Sequence, residues 1–331
     1  MQELSDPSPL SSSESEVLAE FIGKDFAFTK TVGRIPSLAR ADGAVLISGE
    51  TGTGKELFAR AIHRLSARAS SPFVPVNCGS LVDTLFQDEL FGHERGAFTD
   101  ARSRQEGLLA HAAGGTLFLD EIDTLAPRAQ ISLLRVIQDR SFRPLGTALE
   151  QRVDVRFVAA TNAALDLLIN AGTFRADLYY RLSVFQIMLP PLRDRREDIL
   201  LLALHFLRKG ASRTSRLSAG SEVALLAHDW PGNVRELENA IERGLSAAPG
   251  GVLEREDLGI PMPTTGAAPQ TSSYKEQKRT VLEAFERDYL LRIMTEHRGN
   301  VSRAARAAGK ERRDLGKLLK RYHLDPRQFA G

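Results

Sequence analysis

The chain has 331 residues, 42% apolar and 26% charged, an ordinary globular composition. At about 150 residues per domain this length implies roughly two domains, or three if one is small, and it excludes a peptide-sized fold and wholesale disorder. The net charge of +2 is unevenly spread: His297 to Arg327 carries ten Lys/Arg against three Asp/Glu, a local +7 that leaves −5 on the remainder. Such a localised basic patch points to nucleic acid. The longest apolar run, Ile199 to Leu207 interrupted by His205, is far short of the roughly 18 residues that cross a bilayer, so no membrane partner is expected. Cys78 is the single cysteine, which rules out an internal disulfide and a cysteine metal cage.

Residues 1 to 20 hold six serines, two prolines, five acids and no base, and read as a mobile arm. They contain neither a basic n-region nor an apolar h-region, so there is no secretory signal and a cytoplasmic location is expected. Residues 21 to 190 carry five short apolar runs, at 44–47, 73–76, 116–119, 155–160 and 184–189, separated by amphipathic stretches. Strands alternating with helices predict an α/β fold, a parallel sheet with helices on both faces. After Pro190-Pro191 the strand signal stops, and residues 191 to 260 read as a small helical subdomain of three helices. Residues 261 to 274, with three prolines and no charge, read as a linker to a separate module at 275–331.

Directly after the first predicted strand stands Gly49-Glu50-Thr51-Gly52-Thr53-Gly54-Lys55-Glu56, followed by an amphipathic helix. This is the context of a phosphate-binding loop: glycines let backbone N–H groups wrap phosphates, the helix N-terminus adds favourable dipole, and Lys55 reaches the β and γ phosphates. Glu56 departs from the general motif, where Ser or Thr offers a hydroxyl to magnesium. The metal ligand is therefore expected elsewhere. Asp120 and Glu121 end the strand Thr116 to Leu119, at the sheet edge where α/β folds bind ligands. An acid pair ending a strand is by itself an ordinary solvated loop start. Beside a phosphate loop, Asp120 is expected to hold Mg2+ and Glu121 to orient or deprotonate the attacking water.

In the C-terminal module Val301, Ala304, Ala305 and Ala308 recur at helical spacing, Gly309 interrupts, and Leu315, Leu318, Leu319 and Tyr322 repeat the pattern. With a preceding helix through Leu282, Phe285, Tyr289 and Ile293, this reads as a three-helix unit containing a helix-turn-helix. Arg313, Lys317 and Lys320 share one face of the second helix, with Arg312 near its start, and that face is the expected contact with double-stranded DNA.

The ordered series GETGTGKE, VNCGSL, ELFGHERGAFTDA, GGTLFLDEI, FRADLYYRL, LPPLRDRREDI and WPGNVRELEN resembles the AAA+ ATPase domain of bacterial sigma-54-dependent transcriptional activators. The C-terminal module resembles their Fis-type DNA-binding domain, which acts as a dimer on paired half-sites. The resemblance implies an AAA+ P-loop fold with a helical lid, ATP with Mg2+, and a ring-shaped oligomer, normally a hexamer. It implies that Asn77 is a switch contacting Glu121, that Thr161 and Asn162 sense the γ-phosphate, and that Arg235 closes the lid on nucleotide; a capping or turn role for Asn77 and a plain strand-ending turn for Thr161 and Asn162 are the competing readings. Arg175 and Arg181 match arginine fingers that reach a neighbouring subunit, and Ile22-Gly23 matches the segment beside adenine. Gly96, Ala97, Phe98, Thr99, Asp100 and Ala101 match the loop that contacts sigma-54, with a second loop at about Arg140 to Arg152 beside it. Asp100 stands where the family has glycine, adding a charge and a Cβ.

Two functions compete. The first is a DNA-binding activator that hydrolyses ATP as a ring and remodels the sigma-54 RNA polymerase holoenzyme for promoter opening. The second is a DNA-binding regulator that keeps the AAA+ fold but acts without sigma-54, for which Asp100 is the main support. Because the N-terminal stretch holds no receiver or sensor domain, control in trans by a separate regulatory protein, an inhibitor or co-activator, or control by expression level, is expected. Cys78 reads as a small buried residue, His93 as packing at the loop base, and no histidine spacing suggests a further metal site.

Overall fold

The computed structural model describes residues 12–80, 83–98, 101–210, 215–260, 290, 292–295, 297 and 299–321. The chain divides into two compact units, 1–260 and 261–331. In the first, all five apolar runs are strands: β1 Val45–Ser48, β2 Phe73–Asn77, β3 Thr116–Asp120, β4 Arg156–Thr161 and β5 Phe185–Met188. They form one wholly parallel sheet in the order β2-β3-β4-β1-β5. The register aligns Ser48 with Thr161 and Asn77 with Asp120, bringing the C-terminal ends of four strands to one edge.

Alternation along the strands feeds two cores. Val45, Ile47, Phe118, Val158 and Ala160 pack against Phe28 of α2 (Phe26–Val32), Ile35 and Leu38 of α3 (Ile35–Arg40), and Phe58 and Ile62 of α4 (Lys55–Arg64). On the other face Leu46, Leu117, Leu119, Phe157 and Ala159 meet α5 (Asp83–Phe91), α7 (Pro127–Asp139) and α9 (Ala176–Leu182). Two short helices, α6 (Leu108–His111) and α8 (Leu165–Asn170), fill the connections before β3 and after β4.

One expectation is corrected at the N-terminus. Residues 12–18 are a helix, α1 (Ser12–Leu18), rather than part of a mobile arm. Val17 is buried in the core of the α4 face, and Glu14 pairs with Arg40. Ser15 and Glu16 are exposed, while two adjacent apolar residues, Val17 and Leu18, supply the anchor.

The helical lid follows as expected, with α10 (Ile199–Lys209), α11 (Ala219–Ala227) and α12 (Asn233–Ala247). Its core gathers Leu192, Ile199, Leu202, Leu207, Leu225, Leu237 and Ile241 around Trp230, whose indole N–H donates to the Leu225 carbonyl at 2.9 Å. Three two-residue strand pairs were not legible in the sequence: 92–93 with 105–106, 141–142 with 151–152, and 216–217 with 252–253.

In the second unit, α13 (Val301–Ala307) and α14 (Arg312–Arg321) enclose a core of Leu290, Ile293, Met294, Ala304, Ala305, Leu315 and Leu319. Asn300 caps α13 by accepting from the Arg303 N–H at 3.1 Å, and Gly309, at φ +63°, makes the turn. The expected linker 261–274 lies outside the described residues, as do Leu282, Phe285, Tyr289 and Tyr322. No helix of the described residues is long and apolar enough to cross a membrane.

Candidate functional site: a phosphate cleft between sheet and lid

The loop Gly49 to Gly54 leaves the C-terminal end of β1 and turns into α4, so its backbone and the helix N-terminus face the same space. Gly52 sits at φ +78°, and a Cβ there would lie 2.2 Å from the Gly232 carbonyl oxygen, so no other residue fits under the lid at this point. Thr53 is buried and donates to the Glu50 carbonyl at 2.8 Å. The Lys55 ammonium donates to the carbonyls of Gly49 at 2.8 Å and Glu50 at 3.1 Å, which curls it back over the loop. Burial lowers its proton affinity, opposed by the carboxylates of Asp120, Asp123 and Glu121, while Arg235 adds to the lowering. Glu56 points elsewhere, its carboxylate held by Arg60 one turn on at 2.6 and 2.9 Å.

Across the cleft, Asp120 ends β3 and accepts from the Glu121 N–H at 3.0 Å. Glu121 adopts φ +54°, and its carboxylate stands 2.5 Å from where a Cβ on Gly79 would be. The expected direct contact of Asn77 with Glu121 takes a different form. The Asn77 side-chain oxygen accepts from the N–H groups of Gly79 at 2.8 Å and Ser80 at 3.1 Å, so it shapes the turn that the Glu121 carboxylate lies against. Thr161 at the end of β4 donates to Asp123 at 2.6 Å, and Asn162 donates to the Thr51 hydroxyl at 3.1 Å. Both are thus tied to the phosphate edge. Cys78 is buried beside these acids, and desolvation together with Asp120, Asp123 and Glu121 pushes its thiol up to about 12, which makes it inert.

Above the loop lies the start of α12. Glu50 forms a two-point pair with Arg193 at 2.5 and 2.7 Å and accepts from the Asn233 amide at 3.2 Å. Arg193 is the largest cause holding the Glu50 carboxyl below its usual range. Asn233 also donates to the Thr51 carbonyl at 3.0 Å and accepts from the Leu192 N–H at 2.7 Å. Trp230 and Asn233, both buried, sit at φ +50° and +53°; for a bulky residue such as Trp230 this conformation costs about 1–3 kcal/mol and persists only under strong packing. A cavity of about 330 Å³ opens between loop and lid, lined by Gly52, Thr53, Gly54 and Arg235, by the apolar Phe21, Ile22, Leu202 and Phe206, and also by Arg195, His205 and Lys209. Ile22 is therefore part of the cleft, whereas Gly23 lies against the Phe28 ring and the Asp198 carboxylate.

Arg175 and Arg181 are outside this cleft. Both are exposed at the two ends of α9, and Arg175 is held by Asp177 in a two-point pair at 2.7 and 3.0 Å.

The loop at 92–101 rises from the 92–93 strand pair. Gly96 donates to the Ala101 carbonyl at 2.8 Å, and Ala101 returns a bond to Phe98 at 3.0 Å. His93 bonds Asp88 at 2.5 Å and meets the Phe98 ring edge-on at 4.9 Å, so it does pack at the loop base. The loop around residues 140–152 stands beside it, as expected: Glu94 donates to Leu145 and Leu145 to Gly92, each at 2.9 Å, and Gly146 packs on Ala97. Phe98 is 42% exposed, a large apolar ring presented to solvent. Thr99 and Asp100 lie outside the described residues.

On α14, Leu315 and Leu319 face the core, while Arg312, Arg313 and Lys317 are exposed, Lys317 within 3.5 Å of Asp314. The side chain of Lys320 lies outside the described residues.

Residues 21–188 match the sigma-54 interaction domain, residues 193–275 the AAA+ ATPase lid domain, and residues 281–322 the Fis family of bacterial regulatory proteins. The chain belongs to the sigma-54 interaction-domain family. It is 44% identical over 297 residues to the regulatory protein AtoC of Escherichia coli K12, covering 87% of this chain and 64% of that one. To the transcriptional regulatory protein ZraR of Salmonella typhimurium it is 44% identical over 304 residues, covering 91% and 68%. The chain thus spans about two thirds of the length of the curated relatives it matches. Among solved structures it resembles NtrX of Brucella abortus in complex with ATP, at TM-score 0.68 and 33% identity over 92% of this chain and 70% of that one, and the ADP complex of the same protein at TM-score 0.68 and 32% identity over 94% and 71%. The family supplies the AAA+ P-loop fold with its lid, and the sheet order, phosphate loop and α10–α12 lid described above are that fold.

Three residues at this site carried no role in the sequence reading. Arg193 and Asn233 lie inside the segments LPPLRDRREDI and WPGNVRELEN, but only the lid-to-loop contacts single them out. Asp123 is the third acid of Asp120-Glu121-Ile122-Asp123, and its bond to Thr161 is a tertiary fact that spacing does not encode.

Proposed function

We propose that this protein is a DNA-binding transcriptional activator that hydrolyses ATP as a ring-shaped oligomer and uses the cycle to remodel the sigma-54 RNA polymerase holoenzyme for promoter opening. The observation that carries the reading is the convergence, on one cleft, of the phosphate loop with Lys55, the Asp120–Glu121 pair, and Arg235 from the lid. Lys55 and the loop N–H groups bind the β and γ phosphates, Ile22 and Phe21 enclose the base, and Glu121 takes the proton of the attacking water. Asp120 would hold Mg2+, which supplies charge neutralisation at the phosphates. The donor set fits this ion, since a single carboxylate completed by phosphate oxygens and waters is its usual environment. Arg175 and Arg181 act on the nucleotide of an adjoining copy. Phe98, at the tip of the braced loop, contacts sigma-54, and Arg312, Arg313, Lys317 and Lys320 contact DNA upstream of the promoter.

The test is the dependence of specific ATPase activity on protein concentration. The reading expects activity to rise cooperatively as the oligomer assembles and to vanish in Lys55→Ala. Activity independent of concentration would remove the shared site.

A further inference from the structure

The lid is attached to the phosphate loop by protein contacts that no nucleotide supplies. Two separate segments take part: the chain entering the lid, with Leu192 and Arg193, and the turn that starts α12, with Asn233. Asn233 joins them by accepting from the Leu192 N–H at 2.7 Å, and both converge on Glu50, Arg193 by two bonds at 2.5 and 2.7 Å and Asn233 by one at 3.2 Å. The backbone repeats the link, because Asn233 donates to the Thr51 carbonyl at 3.0 Å and Val234 to the Gly52 carbonyl at 3.0 Å. Asn233 is fully buried at φ +53°, a conformation that asparagine tolerates better than other side chains. Arg235 lies two residues further on, in the first turn of the same helix, and lines the cleft with Gly52, Thr53 and Gly54.

We infer that Arg193 and Asn233 are positioning residues which, through Glu50, fix Arg235 over the phosphate loop and so make the protein discriminate ATP from ADP. The inference rests on the nucleotide-binding reading of this cleft. Its logic is geometric and electrostatic. A guanidinium held rigidly at the phosphate end gains most from the ligand with the greater terminal charge, and a guanidinium on a loosened lid loses that advantage while base and loop contacts persist. The clamp itself is charge-balanced, one carboxylate against one guanidinium, and Asn233 adds direction without charge.

The experiment titrates the full chain with ATP and with ADP, with magnesium present, in wild type, Arg193→Gln, Arg193→Lys, Asn233→Asp, Arg235→Ala and the double variant Arg193→Gln/Arg235→Ala. The Arg193 side chain is 39% exposed, so its variants leave no buried cavity; Asn233→Asp keeps the acceptor for Leu192 and places a like charge against Glu50. The expected result is a loss of ATP affinity of about tenfold in Arg193→Gln and Asn233→Asp with ADP affinity within about twofold, in the usual range of coupling between sites. Arg193→Lys is expected to lie between, and the double variant to be no weaker than Arg235→Ala alone. Equal losses for both nucleotides, additive losses in the double variant, or wild-type values throughout would each overturn the inference. Wild type that binds neither nucleotide would instead remove the reading on which it rests.

Discussion

The phosphate cleft and helix α9 differ in how much of their chemistry this chain completes. In the cleft, three groups are answered from within: Lys55 by the loop carbonyls, Glu50 by Arg193 and Asn233, Thr161 by Asp123. On α9, Arg181 is exposed, and the Arg175 guanidinium pairs with Asp177, two residues away. The contrast teaches that the cleft is braced from within the chain, whereas a second set of cationic groups stands on an outer surface. In the proposed oligomer that surface is where a neighbour's γ-phosphate would arrive and displace Asp177 from Arg175.

The largest effect should come from breaking the outward half. Arg181→Ala or Arg175→Ala is expected to lower ATP turnover by about 10³-fold or more, the usual worth of an arginine finger, while leaving ATP binding intact. Mixing Arg181→Ala with Glu121→Gln, each inactive alone, should restore part of the steady-state rate, because some interfaces then pair an intact cleft with an intact arginine. Next, Glu121→Gln by itself should cost about 10²–10⁴-fold in turnover, read against unchanged ATP affinity in a binding titration. In the lid, Trp230→Ala leaves a large cavity and an unbonded Leu225 carbonyl, with an expected loss of about 3–5 kcal/mol in denaturant unfolding. The smallest effect belongs to the second unit: Lys317→Ala should weaken DNA binding uniformly across sequences and lower the salt-dependence slope by about one, measured by titration at several salt concentrations.

Where a feature is written in consecutive residues, the sequence was enough to place it in the fold. The phosphate loop, the Asp120-Glu121 pair and the strands that deliver them follow from glycine spacing and apolar runs, because a strand ending in a ligand-binding turn leaves a local imprint. The helical periodicity of residues 301–319 likewise carried the paired helices and their basic face. What stayed hidden depends on contacts far along the chain. Glu50 and Asn233 are separated by 183 residues, and nothing in either segment announces the other. For Asn77 the resemblance implies contact with Glu121 while a cap or turn is the competing reading, and its oxygen serves the Gly79 and Ser80 N–H groups, a capping geometry. At the N-terminus, composition outweighed two apolar residues that were enough to dock α1.

The most direct test of the account is ATP-dependent open-complex formation on a sigma-54 promoter with purified holoenzyme, using wild type, Glu121→Ala and Asp100→Gly. Promoter opening by wild type and not by Glu121→Ala is the expected result, with Asp100 tolerated in the contact loop. Wild type that hydrolyses ATP but opens no promoter, while Asp100→Gly does, would contradict it.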